Sequence, residues 1–363
     1  MLVSFPHMGD MNIVLKALFT GLGRQVITPP PISKQTLALG NIYAPEAVCL
    51  PFKVMLGNFI EALEQGADTL VTCGGIGPCR LGYYAEVQRS ILYDLGYNFE
   101  MLVVEARLND VVHALRRIAG PGCNLKKIYD AFCLAIGKMN ALDTLRRKVY
   151  GIRPCESERG SADTVWRDAV REIDGADTLE KLHAVCHKAD DRLQRISLRP
   201  GFKAVRIGII GELYVMLEPY VNLDLERQLG NMGVEVFKTM QLSDYVQGHL
   251  FRKQKYLKKF RELATLAQPY LGHYVGGHAL KSIAHTVSLA REEYDGMIHI
   301  FPFSCMPEVI AQNILPRVSQ ETGIPVLSLA FDEQSGEAGI MTRLEAFVDL
   351  LHYRRGRRQN NYD

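Results

Sequence analysis

Residues 69–78, TLVTCGGIGP, decide how the rest of the chain is read. Thr69 to Cys73 is a short apolar run with β-branched residues, which predicts a buried strand. It breaks at once into the glycine-rich turn Gly74, Gly75, Ile76, Gly77, Pro78. On its amino side, Lys53 to Gln65 places Val54, Phe59, Ile60 and Leu63 at helical spacing. Further out, Leu2 to Pro6 reads as a short buried strand. Asn12 to Leu22 reads as a helix stopped by Gly23 at C′. Gln25 to Thr28 is a second strand, closed by Pro29, Pro30 and Pro31, and Met101 to Val104 is a fourth. Strands alternating with helices imply parallel pairing through right-handed crossovers.

From Leu108 to about Ile196 the pattern changes. Leu108, Val111, Val112, Leu115 and Ile118 fall on one helix face. Leu125 to Val149 and Leu179 to Ile196 behave alike, separated by the polar stretch around Glu156 to Ala162. At Arg206 the first pattern returns: Ile207 to Ile210 as a strand, Leu223 to Leu229 as a helix, and Gly233–Val236 mirroring Gly23–Val26. A basic helical stretch, Arg252 to Leu266, is extra. Val287 to Tyr294 is a helix leading into the strand Met297 to Phe301 and the turn Pro302–Cys305, and Ile324 to Leu329 is a last strand. The expected fold class is α/β: two similar Rossmann-like, parallel-sheet lobes, 1–106 and 204–352, with a helical insertion 107–203 and a basic polar tail 353–363. The expected cleft lies at the carboxyl ends of the strands. The repeat is one of pattern, not of sequence, and two unrelated Rossmann-like units are the alternative.

Composition narrows the function classes. The chain has 363 residues, which at roughly 150 per domain means two or three compact units. Hydrophobic residues at 47% and charged residues at 23% exclude disorder, collagen-like structure and coiled coil. A net charge of +2 implies no nucleic-acid field. Arg354, Arg355, Arg357 and Arg358 read as part of a solvated terminus. No apolar run approaches the ~20 residues that span a bilayer, so no membrane is expected. MLVSFPHMGD lacks a basic n-region and an apolar h-region. A cytoplasmic protein is therefore expected, whose eight cysteines stay reduced and read as buried side chains, nucleophiles or metal ligands rather than disulfides.

In an open parallel sheet ligands bind in the crevice at the carboxyl ends of the strands. That rule selects the turns after Val71 and Ile300, and both carry a cysteine: Cys79 in GGIGPCRLGYY and Cys305 in FPFSCMPE. A third, Cys49 in APEAVCLPFK, precedes a helix that Pro51 suits at its first turn. A helix amino end with Lys53 nearby favours the thiolate, as Arg80 does beside Cys79. If the lobes face each other, Cys79 and Cys305 converge from opposite walls. Three widely spaced soft ligands, without the CxxC pairs common in structural zinc sites, suit an iron–sulfur cluster with one iron left open.

The segments FPHMGD, PEAVCLPFK, GGIGPCRLGYY, FPFSCMPE and SLAFDEQSGEAGIMTRLEAFVDLL resemble the 2-hydroxyacyl-CoA dehydratase-like family. More narrowly, they resemble its acyl-CoA dehydratase activase-related (CoA protein activase) branch. The resemblance runs from the first residues to about His352. It implies a [4Fe–4S] cluster held by Cys49, Cys79 and Cys305, with a larger double-cubane cluster as the variant used by related proteins. It implies anaerobic electron-transfer metabolism: a separate ATP-hydrolysing activator injects a low-potential electron, and the reduced cluster passes it to a thioester carbonyl such as that of an acyl-CoA. Assembly as a homodimer, or as a heterodimer with a related subunit, belongs to the same expectation. The chain departs from an ATPase in lacking a G-x-x-x-x-G-K-[ST] loop, because His278 follows Gly272–Gly277 where lysine is needed. G-x-G-x-x-G is also missing, with Arg80 after Gly75 and Gly77. The ATPase is thus expected on the partner.

Other residues stand near these turns. Glu46 and Glu308, each three residues from a cysteine, read as carboxylate ligands or proton-transfer groups, or for Glu308 as a charge complementing a helix dipole. His7 ends the first strand, and Ser304 suits a hydrogen bond to a cluster sulfur. Glu212 and Asn222 are lesser cleft candidates. Cys73 reads as packing at a strand end or as a fourth ligand, and Cys186 as core on the stripe from Leu179 to Ile196. His183 and His187, among Lys181, Lys188 and Asp190, read as a solvated face. Cys123, Cys133 and Cys155 receive no role. A two-lobed small-molecule-binding or scaffold subunit with structural or zinc-binding thiols is the competing reading.

Overall fold

The computed structural model describes residues 1–75, 78–105, 107–249, 251 and 254–360. Ile76 and Gly77 of the glycine-rich turn, Arg252 at the head of the basic stretch and residues 361–363 of the tail lie outside the described residues. The chain opens with β1 (Leu2–Ser4), α1 (Met11–Gly21), β2 (Gln25–Val26), α2 (Lys34–Tyr43), α3 (Leu50–Glu64), β3 (Thr69–Cys73), α4 (Leu81–Asp94), β4 (Glu100–Val104) and α5 (Leu108–Ile118). Three long helices follow: α6 (Leu125–Ile152), α7 (Ser161–Gly175) and α8 (Leu179–Gln194). Then come β5 (Val205–Gly211), α9 (Leu213–Leu217), α10 (Leu225–Asn231), β6 (Val234–Lys238), α11 (Leu242–His249) and α12 (Gln254–Ala267). The chain closes with α13 (Ala279–Arg291), β7 (Gly296–Pro302), α14 (Met306–Thr322), β8 (Val326–Phe331) and α15 (Glu337–Asn360).

The strands form two four-stranded parallel sheets, ordered β2-β1-β3-β4 and β6-β5-β7-β8. The expected α/β class and the repeated order of elements are both present. In each sheet the chain first steps outward on one side and then crosses to the other. The strand order therefore reverses between β1 and β3, and between β5 and β7. Crevices for ligands form at such switch points, outside the carboxyl ends of the two strands.

The chain divides into two compact units. The first comprises Met1–Asp143, Val170–Cys186 and Leu242–Tyr256; the second comprises Thr144–Ala169, His187–Gln241 and Leu257–Asp363. In the first, Val3, Val71 and Leu102 from the strands and Phe5 just after β1 pack with Phe19 and Leu22 at α1 and with Leu115 and Ile118 of α5. Every residue of α3 from Leu50 to Leu63 is buried, so this helix is enclosed on all sides. In the second, β7 (GMIHIFP) is buried along its whole length, as expected of a central parallel strand covered on both faces.

Several local expectations change. The helix α13 starts at Ala279, not Val287, because Ala279, Ile283 and Ala284 pack into a core with Ala311 and Val318 of α14. Residues 353–360, expected as a polar tail, continue α15. Its arginines cap other backbone segments: Arg354 donates to the Gly323 carbonyl (3.0 Å) and Arg355 to that of Ala204 (2.8 Å). Cys186 is half-buried rather than core, and Cys73 is exposed at its strand end. His183 and His187 are exposed.

Candidate functional site

In each unit, predicted site residues follow the central strands. In the first unit, β1 leads into His7 and β3 into the turn that reaches Cys79. Gly75 and α4 approach closely: a Cβ on Gly82 would stand 2.6 Å from the Gly75 carbonyl oxygen, so this approach requires glycine. Cys79 is half-buried just before α4. Cys49 is the N-cap of α3, with Pro51 in the first turn as expected, and only 8% of it is exposed.

The two helix starts are joined by side chains. Tyr84 in the first turn of α4 places its hydroxyl against the Cys49 sulfur, and its ring meets Phe52 edge-on at 5.1 Å. Gln88 donates to the Phe52 carbonyl (3.3 Å). Arg80 donates to the carbonyl of Ala47 (2.8 Å), tying the loop before Cys49 to the residue after Cys79. The loop that carries Cys49 and the start of α4 next to Cys79 are therefore in contact. Glu46, in that same loop, is exposed. His7 is half-buried, and its backbone N–H donates to Asn58 Oδ1 (3.1 Å). Asn58 donates in turn to Glu61 (3.3 Å), which also accepts from the Thr36 hydroxyl (3.0 Å). The buried polar residues of α3 thus anchor the end of β1.

In the second unit, β7 runs into a turn closed by the Cys305 N–H on the Pro302 carbonyl (2.9 Å). Ser304 and Cys305 are half-buried there, and Cys305 is the N-cap of α14. Glu308, in the first turn of that helix, is wholly buried. Its Oε2 accepts from the Ser282 hydroxyl (2.9 Å) and lies 2.9 Å from His299 Nε2. His299 is itself wholly buried in β7, stacked on Phe301 at 4.6 Å, with Ser328 Oγ 3.3 Å from its Nδ1. The dipole-complementing reading of Glu308 is therefore incomplete: the carboxylate is held by a histidine and a serine from two other elements.

Across the switch point, Glu212 follows β5. Its N–H donates to the Ile300 carbonyl (3.0 Å), and its carboxylate caps α9 through the N–H groups of Tyr214 and Val215 (both 3.0 Å). Burial pushes the Glu212 carboxyl up to about 7; the two backbone donors pull against this, and the nearby Glu308 adds to it. Asn222 is not available to a cleft. It is wholly buried, and its side chain is spent on the Val215 carbonyl (2.8 Å) and the Leu225 N–H (3.2 Å).

Among the described residues, no cysteine is in a disulfide. Among the described residues, no group of three or more His, Cys, Asp or Glu is gathered as a metal site. Each of the three thiols lies at or next to the amino end of a helix of at least eight residues. Sequence reading missed His299 and Tyr84. The signal for the first was present, since an imidazole inside the seven-residue buried strand GMIHIFP demands a polar partner. For Tyr84 there was none.

No protein-family model and no curated protein matches the chain. Among the described residues, no helix is long and apolar enough to cross a membrane.

Proposed function

We propose that the chain is an iron–sulfur protein of the 2-hydroxyacyl-CoA dehydratase type, with Cys49, Cys79 and Cys305 as ligands of a [4Fe–4S] cluster. The observation that carries the reading is the common setting of these thiols, at helix starts beside the switch points of two like-ordered sheets. When bound, such a cluster supplies low-potential one-electron transfer, at a potential set by charge, hydrogen bonding and solvent access. The electron comes from a separate ATP-hydrolysing activator and goes to a small molecule, of which an acyl-CoA is the leading class. The chain is then a lyase- or oxidoreductase-type component, working as a homodimer or with a related subunit. Its own residues do the positioning. Tyr84 holds the Cys49 sulfur, and Arg80 fixes the loop that carries it. Ser304 stands next to Cys305 in the turn, where its hydroxyl suits a hydrogen bond to sulfur. His7, Glu46 and Glu308 are the proton-handling candidates.

Protein purified without oxygen should be brown and carry about four iron and four sulfide per chain. Cys79→Ser should remove most of both, with the fold unchanged by circular dichroism. Unchanged iron and visible absorption in that variant would overturn the ligand assignment.

A second reading, a two-lobed binding or scaffold subunit with structural or zinc-binding thiols, draws on Cys49 being already engaged by the Tyr84 hydroxyl. Zinc in place of iron after anoxic handling, or no metal at all, would select it.

A further inference from the structure

We infer that α12 and α13 hold a phosphate-binding site, built from Lys259 and Phe260 of the first helix and Lys281 and His285 of the second. All four residues belong to the second unit, and none is a proposed iron ligand.

The packing of the two helices places these groups together. Leu263, Leu266 and Ala267 of α12 share a core with Ala279, Ile283, Ala284 and Val287 of α13. Lys259 falls at i, i+4, i+7 with Leu263 and Leu266, and Phe260 at i, i+3, i+7 with Leu263 and Ala267. Both therefore continue the face of α12 that is turned to α13. A contact across the helices agrees with this: the Lys281 ammonium lies 5.8 Å from the centroid of the Phe260 ring. His285 follows Lys281 at i+4, the spacing that sets side chains one above the other on a helix.

His285 supplies the observation that points to a ligand. It is only 7% exposed, and among the described residues its ring nitrogens have no hydrogen-bond partner. His299, by contrast, has Ser328 at one nitrogen and Glu308 at the other. A buried imidazole without a partner is costly, so one is to be sought. Burial, with the charges of Lys259 and Lys281, pushes His285 down to about 3. It is thus neutral at pH 7 and keeps one N–H to donate. Two ammonium groups and that N–H suit an anion with several acceptor oxygens, which a phosphate group is. The first turn of α13 holds no acidic residue, so the helix dipole favours the same charge. Lys259 and Phe260 are exposed, which opens the site to solvent. The exposed Lys258 and Arg261 lie on the outer face of α12, with Lys258 3.9 Å from Glu262.

The test is titration of the full-length chain with inorganic phosphate and with AMP at pH 7 and low chloride, followed by NMR of the histidine rings. One saturable site should appear. The His285 signal, identified by its loss in His285→Asn, should move with the same dissociation constant. Lys259→Gln, a change at an exposed side chain, should weaken binding about tenfold, and so should Lys281→Gln. The double variant Lys258→Gln/Arg261→Gln should leave the dissociation constant within about twofold, because solvent screens its distant charges. Tighter binding of AMP would assign the phosphate to a nucleotide that uses the Phe260 ring, and equal binding to free phosphate; either supports the site. No saturable binding of either probe would overturn it. So would a loss in the outer-face variant as large as that in Lys259→Gln, which is the mark of diffuse surface charge. None of these readings depends on whether the thiols bind iron.

Discussion

Alanine at Gly57 should cost the first unit about 3 kcal/mol or more, because it drives two helix backbones apart. A Cβ built on Gly57 stands 2.0 Å from the Thr36 carbonyl oxygen, and one on Gly40 stands 2.0 Å from that of Lys53. The contact is reciprocal, and both obstacles are backbone atoms inside regular helices, so no side chain can swing away. Nor can α3 retreat, since it is buried on every side from Leu50 to Leu63. The loss is a large share of the roughly 5–15 kcal/mol that holds a domain together. Amide hydrogen exchange should quicken across residues 34–64 and stay unchanged in β5–β8, since distinct units open separately. Because α3 carries Cys49, any metal held there should be lost with it. Gly151→Ala in α6 is the control: nothing lies within 4 Å of its Cβ position, and it should stabilise by about 0.5–1 kcal/mol. Matching exchange rates for Gly57→Ala and the unmodified chain would refute the close-contact account.

The second large effect is expected at Glu226. Lys238 on β6 has its Nζ 2.6 Å from Glu226 Oε1, with the two side chains 1% and 7% exposed, and the Tyr150 hydroxyl adds a 3.4 Å contact. Glu226→Ala leaves an ammonium group buried without its counter-charge and should cost about 3–5 kcal/mol in urea unfolding at pH 7. The double variant Glu226→Leu/Lys238→Met, which removes both charges, should recover most of that loss. Burial alone would raise the Glu226 carboxyl, but the Lys238 charge and hydrogen bond, with Arg146, outweigh it and hold the group below its usual 4.5. A lowered native value means the pair's contribution is complete above 4.5 and fades as pH falls through that native value. The gap between Glu226→Ala and the unmodified chain should therefore narrow on acidification. A double variant as unstable as the single would show that packing, rather than the stranded charge, sets the cost.

Much of the site was readable because its signals are local. Pro51 after Cys49 announces a helix start, and the buried strands before Cys79 and Cys305 place those two turns at the carboxyl ends of the sheets. The helix α2 was not readable. KQTLALGNIY has no strong apolar stripe, and what seats it is the meeting of Gly40 with Lys53 of α3. Asn222 looked like a cleft residue because a polar side chain after a strand has no local mark that it will be spent on backbone groups.

By itself the order of residues determined the parallel pairing, the repeated order of elements, the turns that carry Cys79 and Cys305 and the helix start at Cys49. Those features follow from apolar periodicity, glycine and proline, each written within a few residues of where it acts. Only the tertiary structure decided that His299, Glu308, Ser282 and Ser328 share one buried network and that Tyr84 meets the Cys49 sulfur. Each of those contacts joins separate elements, and burial makes their polar groups seek partners whose position in the chain no local pattern records.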